Sequence, residues 1–288
     1  MIPWVGHLIE VASVILFGWC WIEARTERRG AHVELLVAVG YGWLLETLDM
    51  WIFGTYHYGP MTWWWAAHVP LYIPLLWAAI MHSSMALSDR AQLPRWARPF
   101  LDGLLAVLID LAVDAIAIRL GLWHWKIPLN EGWFGVPAGN LCAWMWVAAW
   151  YGGITRLVRE RIESRGEPQW HRALVPLFAY TGLFCSLFLL GATGQLLGLT
   201  GQNERLWLFA AHGLGFLAVV MFASCAPATA SPQTLLLPSL TINRWLMHGS
   251  FFLLLWASGI WRQIPVLVAV SLLSMTVEWW AERWCLGR

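Results

Sequence analysis

Nine apolar runs follow one another along the chain, near 3–24, 32–54, 63–87, 100–122, 134–157, 172–197, 204–225, 244–261 and 264–283. Each is close to the roughly 20 residues a helix needs to cross the hydrocarbon core of a bilayer. The last two are parted only by Arg262, Gln263 and a turn at Pro265, so the pattern predicts eight or nine spans. The stretch 228–240, with its Pro and Ser residues, reads as a loop. The fold class expected is all-α: a polytopic transmembrane helix bundle forming a single domain over 1–288. The first run has no basic residue before it and makes a poor signal peptide.

Polar positions between the runs set an orientation. Arg25, Arg28 and Arg29 follow the first run; Arg90, Arg95 and Arg98 follow the third; Arg156, Arg159, Arg161, Arg165 and Arg172 follow the fifth. With Arg244, Arg283 and Arg288, 14 of the 18 basic residues fall on one side. By the positive-inside rule that side is cytoplasmic. The expected topology is N-terminus outside and C-terminus inside, in a bacterial inner (cytoplasmic) membrane. Arg119, Lys126, Arg205 and Arg262 are the outside exceptions.

Composition agrees. The 288 residues are 59% hydrophobic and 12% charged, half the roughly 25% charge of soluble domains. This excludes an ordinary soluble enzyme, a disordered chain and a disulfide scaffold. A net charge of +1 leaves no basic surface, so no nucleic-acid partner is expected. Cys20, Cys142, Cys185, Cys225 and Cys285 are scattered without a CxxC pair, so they read as apolar side chains.

Spans two to five carry an internal repeat. One hairpin contains E-T-L-D-M-W-I-F-G-T-Y-H-Y and then V-P-L-Y-I-P-L-L-W. The other contains D-L-A-V-D-A-I-A-I-R-L-G-L-W-H-W and then G-V-P-A-G-N-L-C-A-W. Gly54 to His57 and Gly121 to His124 are both 3 apart, and His57 to Pro70 and His124 to Pro137 both 13. Pro70 to Trp77 and Pro137 to Trp144 are both 7. Both hairpins begin and end inside, as parallel repeats do. The pair occupies 32–157; the remainder, 172–288, reads as scaffold and pocket wall.

The repeat holds the costliest residues of the chain. A charge at the bilayer centre costs roughly 2.5–3.5 kcal/mol, so intramembrane acids face an interior cavity. Glu46 and Asp49 are three apart on span two, and Asp110 and Asp114 four apart on span four, each pair on one helix face. Both pairs lie below the triplets Tyr56-His57-Tyr58 and Trp123-His124-Trp125. Close carboxyls in a dry site cannot all ionise, which supplies a proton donor beside a proton acceptor. The plainer reading is that these acids lock helices together through hydrogen bonds to Tyr, Trp, His or Asn140. Glu10, Glu34, Asp102, Glu278 and Glu282 lie near span ends and read as interfacial or capping residues. His68, His82, His212 and His248 read as histidines satisfied within apolar helices. Some of the 24 Trp, such as Trp63-Trp64-Trp65 and Trp279-Trp280, suit an interfacial belt, whereas Trp123 and Trp125 suit an aromatic wall. Glu46, Asp49, Asp110, Asp114, His57 and His124 could ligate a metal. The HxxxH, HxxHH and ExxH spacings of membrane di-iron oxygenases are missing, so no metal is expected.

The stretch Asp110–Trp144 resembles the membrane carotenoid biosynthesis proteins that include the bacterial and archaeal acyclic carotenoid end-group hydratases, of bisanhydrobacterioruberin and γ-carotene type. Residues 53–77 resemble the first hairpin of the same family. The resemblance covers roughly 46–150 and implies hydration of the terminal double bond of a linear carotenoid to a tertiary alcohol, without cofactor. On that basis Asp110 or Asp114 is the general acid, and its partner with Glu46 or Asp49 stabilises the cation and activates water. Tyr56, Tyr58, Trp123 and Trp125 would line the end-group pocket, while His57, His124 and Asn140 hold water or orient the acids. Gly135-Val136-Pro137 would let backbone approach the ligand and break a helix beside the cavity. The partners implied are an acyclic carotenoid or other long isoprenoid lipid and membrane lipid, with homo-oligomerisation left open. A proton-initiated cyclase or isomerase would present the same acids and walls. A non-catalytic pigment- or quinone-binding subunit would use the walls alone, and a proton-coupled transporter the acids.

Overall fold

A computed structural model describes residues 3–60, 63, 68–226 and 238–287. Helices α1 (Pro3–Glu27) and α2 (Ala31–Leu48) come first, and α2 runs on into a π-helical turn, Asp49–Phe53. A short strand β1 (Tyr56–Tyr58) precedes α3 (Tyr72–Arg90). Helix α4 (Arg98–Leu120), strand β2 (Trp123–Trp125) and α5 (Ala138–Arg165) repeat that order. A 3-10 turn, Gln169–Leu174, leads into α6 (Val175–Leu196) and α7 (Gln202–Ser224). Helix α8 (Pro238–Ala257), the single turn α9 (Ile260–Gln263) and α10 (Val266–Gly287) close the chain.

Each expected apolar run is met by a helix, with local differences. Helix α3 starts at Tyr72, later than the run from 63; Trp64 and Trp65 of the expected belt lie outside the described residues. Of the expected loop 228–240, residues 228–237 lie outside them, and Pro238 to Leu240 already belong to α8. Trp63, Trp279 and Trp280 are exposed, as a belt requires. His68 is not a core histidine. It is exposed in a loop with φ +63°, whereas His82 and His248 are buried in α3 and α8 and His212 is half-buried in α7.

Four helical segments among the described residues are long and apolar enough to cross a membrane: Val5–Glu27, Ala31–Phe53, Gln169–Leu196 and Gln202–Ser224. Helix α4 is as apolar as these but carries three acids along its length, while α5 is less apolar through its Trp, Tyr, Gly and Asn residues and its basic end from Arg156. Asp102, Asp110 and Asp114 on α4 are all buried. The centre of the fold is the packing of α2, α3, α4 and α5, with α6 and α7 on one side and α1, α8 and α10 on the other.

The acids read as interfacial are buried, and arginines from the helix ends and the turns between them neutralise Glu34 and Asp102. Glu34 takes Arg28 at 3.0 Å, Arg159 at 2.8 Å and Arg172 at 3.3 Å. Asp102 takes Arg156 at 2.5 Å. Asp89 takes Arg156 at 2.7 Å, Arg159 at 3.2 Å and Arg98 at 3.3 Å. Arg244, counted with the loop arginines, is fully buried in α8. It pairs with Glu278 at 2.5 and 2.8 Å and also bonds Ser84 and the Leu105 carbonyl. Glu282 bonds the Trp245 indole at 3.0 Å, and Glu10 accepts the Trp63 backbone N–H at 2.8 Å. Such pairing is what makes a buried charge tolerable.

Candidate functional site

The two aromatic-His-aromatic triplets pair with each other. Each follows a left-handed glycine that stops its helix, Gly54 at φ +56° and Gly121 at φ +74°. That conformation is cheap only for glycine, and it turns both chains out of their helices at the same end of the bundle. The strands form an antiparallel ribbon with Tyr56 opposite Trp125, His57 opposite His124 and Tyr58 opposite Trp123. Since Tyr56 is the counterpart of Trp123 and Tyr58 of Trp125, each strand meets its own equivalent. This is the arrangement an approximate two-fold axis produces. The axis passes between His57 and His124 and between Trp77 and Trp144, whose rings stack 4.2 Å apart.

Beneath the ribbon lies a cavity of about 560 Å³. Its lining includes all four acids, Glu46, Asp49, Asp110 and Asp114, with Tyr56, Tyr58, Trp123, Trp125, Pro137 and Asn140. His57 and His124 are not among these. Side chains alternate along a strand, so the two histidines occupy the ribbon's other face, exposed, with rings 5.1 Å apart. Gly135 is also away from the cavity. At φ +87° it packs on Leu129, where an added Cβ would come within 3.0 Å. Pro137 does border the cavity, at the start of α5.

Each half of the ribbon binds one acid. Glu46 Oε2 accepts the hydroxyls of Tyr56 and Tyr58, the latter at 2.5 Å, and Oε1 accepts the Trp77 indole N–H at 2.6 Å. Asp114 Oδ1 accepts the indole N–H of Trp123 at 2.5 Å and of Trp125 at 3.3 Å, and Oδ2 accepts Asn140 Nδ2 at 2.8 Å. The acids are therefore equivalent: Glu46 precedes Gly54 by eight residues and Asp114 precedes Gly121 by seven, the extra residue belonging to the π-helical turn. The two sequence pairs do not superpose as pairs. Counted on the same offset, Asp110 stands where α2 has Gly42, and Gly42 is tied to its place because an added Cβ would lie 2.5 Å from Trp77 Cβ. Asp110 breaks the symmetry, with one donor described, Asn140 Nδ2 at 3.2 Å. Asp49 sits in the π-helical turn, half-buried, with Thr55 Oγ1 at 3.4 Å.

Trp77, Trp144 and Tyr72 are cavity residues that the motif reading passed over. Trp77 and Trp144 were visible as the last anchors of the repeat. Tyr72 carried no signal; its hydroxyl is buried without a hydrogen-bond partner among the described residues. No group of three or more His, Cys, Asp or Glu among the described residues is arranged to hold a metal.

Apolar helices packed around an acid-bearing, aromatic-walled cavity are those of a membrane protein, and the cavity's largely apolar lining is compatible with a lipid or carotenoid. A profile of the carotenoid biosynthesis protein family matches residues 4–202, and the chain belongs to that family. The match takes in both hairpins and α6, hence most of the cavity. No curated protein and no solved structure matches the chain.

Proposed function

We propose that the protein is a nine-span, cofactor-independent hydratase that adds water across the terminal double bond of an acyclic carotenoid. The observation that carries this reading is the unequal hydrogen bonding of the carboxyls in one aromatic cavity. Glu46 and Asp114 each accept three donors, which stabilises the carboxylate form. Asp110 accepts one amide and faces the same space, which leaves it to carry the proton.

The Asp110 proton adds to the less substituted alkene carbon. The π electron pair becomes the new C–H bond, and the neighbouring tertiary carbon becomes a cation. Trp123, Trp125 and Tyr56 offer ring faces, and the Asp114 and Glu46 carboxyls offer oxygen lone pairs held in place by their donors, where that cation forms. Water adds its oxygen to the cation and releases a proton to the carboxyl cluster, which restores the acid. No proton is consumed overall. The polar rim of Asp49, Thr55, Lys126 and Gln202 gives water a route to the cavity. The orientation that fits the arginine distribution puts the ribbon at the outer face and the Glu34, Asp89 and Asp102 ion pairs at the cytoplasmic face.

The test is to incubate purified protein with lycopene and weigh the products. A carotenoid heavier by one water supports the reading. A product of unchanged mass with altered absorption supports proton-initiated cyclisation or isomerisation, which the same acids would serve.

A further inference from the structure

The cavity is much smaller than a linear carotenoid, whose conjugated chain is long and stiff. If the end group reaches the acids, the rest must leave through a wall. The outer mouth is polar, with Asp49, Lys126 and Gln202 on it, and suits water rather than a polyene. One side wall is different. Tyr41 of α2 and Tyr180 of α6 stack with rings 4.6 Å apart, and the Tyr180 hydroxyl donates to the Tyr41 carbonyl. Outward of this contact the cavity is bordered by Leu45, Leu48 and Phe53 from the α2 side and by Leu187, Leu190 and Gly191 from α6.

Two features mark this stretch as an opening. The first is the π-helical turn Asp49–Phe53, the one-residue insertion that α4 lacks at the equivalent place. Such insertions re-aim a helix locally and recur at functional sites. The second is Gly191. It is exposed, and a Cβ added there meets nothing within 4 Å. On the same helix, Gly182 and Gly194 are held by packing, with added Cβ atoms 2.3 Å from Trp150 and 3.0 Å from Leu208. The rims are apolar and outward-facing: Trp51 is 81% and Phe53 56% exposed, Phe188 76% and Leu189 64%. Both flanking segments are among the four apolar enough to cross a membrane, so the gap faces acyl chains.

We propose that this gap is a lateral opening to the bilayer that binds the polyene of the substrate, with Gly191 as its size-determining residue. The inference rests on the cavity being the end-group site, and the experiment separates the two. Purified full-length protein is titrated with lycopene, following quenching of tryptophan fluorescence, and hydration is measured in parallel. Gly191→Trp is expected to weaken lycopene binding at least tenfold and to lower hydration with it, and Gly191→Leu to give an intermediate loss. Leu189→Trp places the same bulk and chromophore on the lipid face of α6 and is expected to bind as wild type does. Unchanged binding in both Gly191 variants, or an equal loss in Leu189→Trp, overturns the opening. Binding that depends on Gly191 without any hydrated product leaves the opening standing and sinks the hydratase reading. Hydration unaffected by Gly191→Trp does the reverse.

Discussion

In the proposed mechanism, Asp110 is the residue on which the chemistry turns. A positioned general acid contributes about 10²–10⁴-fold in rate, so Asp110→Asn should lower hydration by that range while the amide keeps the shape of the side chain. Trp123→Phe removes the 2.5 Å indole donor from Asp114 and keeps an aromatic wall. A hydrogen bond to a charged group is worth about 1.5–3 kcal/mol, so a loss of roughly 10–100-fold in kcat is expected, with lycopene binding little changed. Product formation by the two variants, measured beside lycopene binding, checks both. The four acids were legible in the sequence because charge within apolar runs is conspicuous. Their partnership was not. Spacing along one helix suggested Glu46 with Asp49 and Asp110 with Asp114, whereas the structure makes Glu46 the counterpart of Asp114 across the two-fold. A single inserted residue in a π-helical turn hides that equivalence from any fixed-offset comparison.

At the scale of elements, the hairpin repeat was readable because Gly, His, Pro and Trp keep their intervals. The ribbon was not, since three residues of strand between long helices leave no periodicity to detect. Gly121→Ala tests how far the ribbon depends on its left-handed turn. A non-glycine residue there costs about 1–2 kcal/mol, so the variant should melt at lower temperature than wild type in detergent. The inner ends of the helices offer a pH test. Burial alone would push the Asp89 carboxyl up, but the guanidiniums of Arg156 and Arg159 outweigh it and hold it well below its ordinary value. A carboxyl depressed on folding stabilises the folded state above its unfolded value of about 4, and that contribution fades as pH falls below it. The melting temperature should therefore drop between pH 5 and 3, and Asp89→Asn should lower it at pH 7 while flattening that dependence. An unaltered slope in the variant would reassign the acid sensitivity to other groups.

Across the whole molecule, the apolar runs marked every long helix of the bundle, and the charges within them marked its centre. Helices α4 and α5 carry acids and arginines where they border the cavity and its inner ion-pair cluster, whereas α6 has no charged residue and α7 has only Glu204 and Arg205, at its start. The Arg244–Glu278 pair shows the same principle at the other side of the bundle, buried between α8 and α10. Arg244→Met leaves the buried Glu278 with His248 alone, 3.6 Å away, and should cost about 3–5 kcal/mol, seen as a large fall in melting temperature. The double variant Arg244→Met, Glu278→Leu should recover most of it. The central claim is that the cavity delivers a proton to a carotenoid end group and captures water there. It is tested most directly by supplying lycopene to the purified protein in water enriched in heavy oxygen. The account predicts a tertiary alcohol carrying the heavy label, formed by wild type and about 10²–10⁴-fold more slowly by Asp110→Asn. An unlabelled hydroxyl, or labelled product formed as fast by Asp110→Asn, would contradict it.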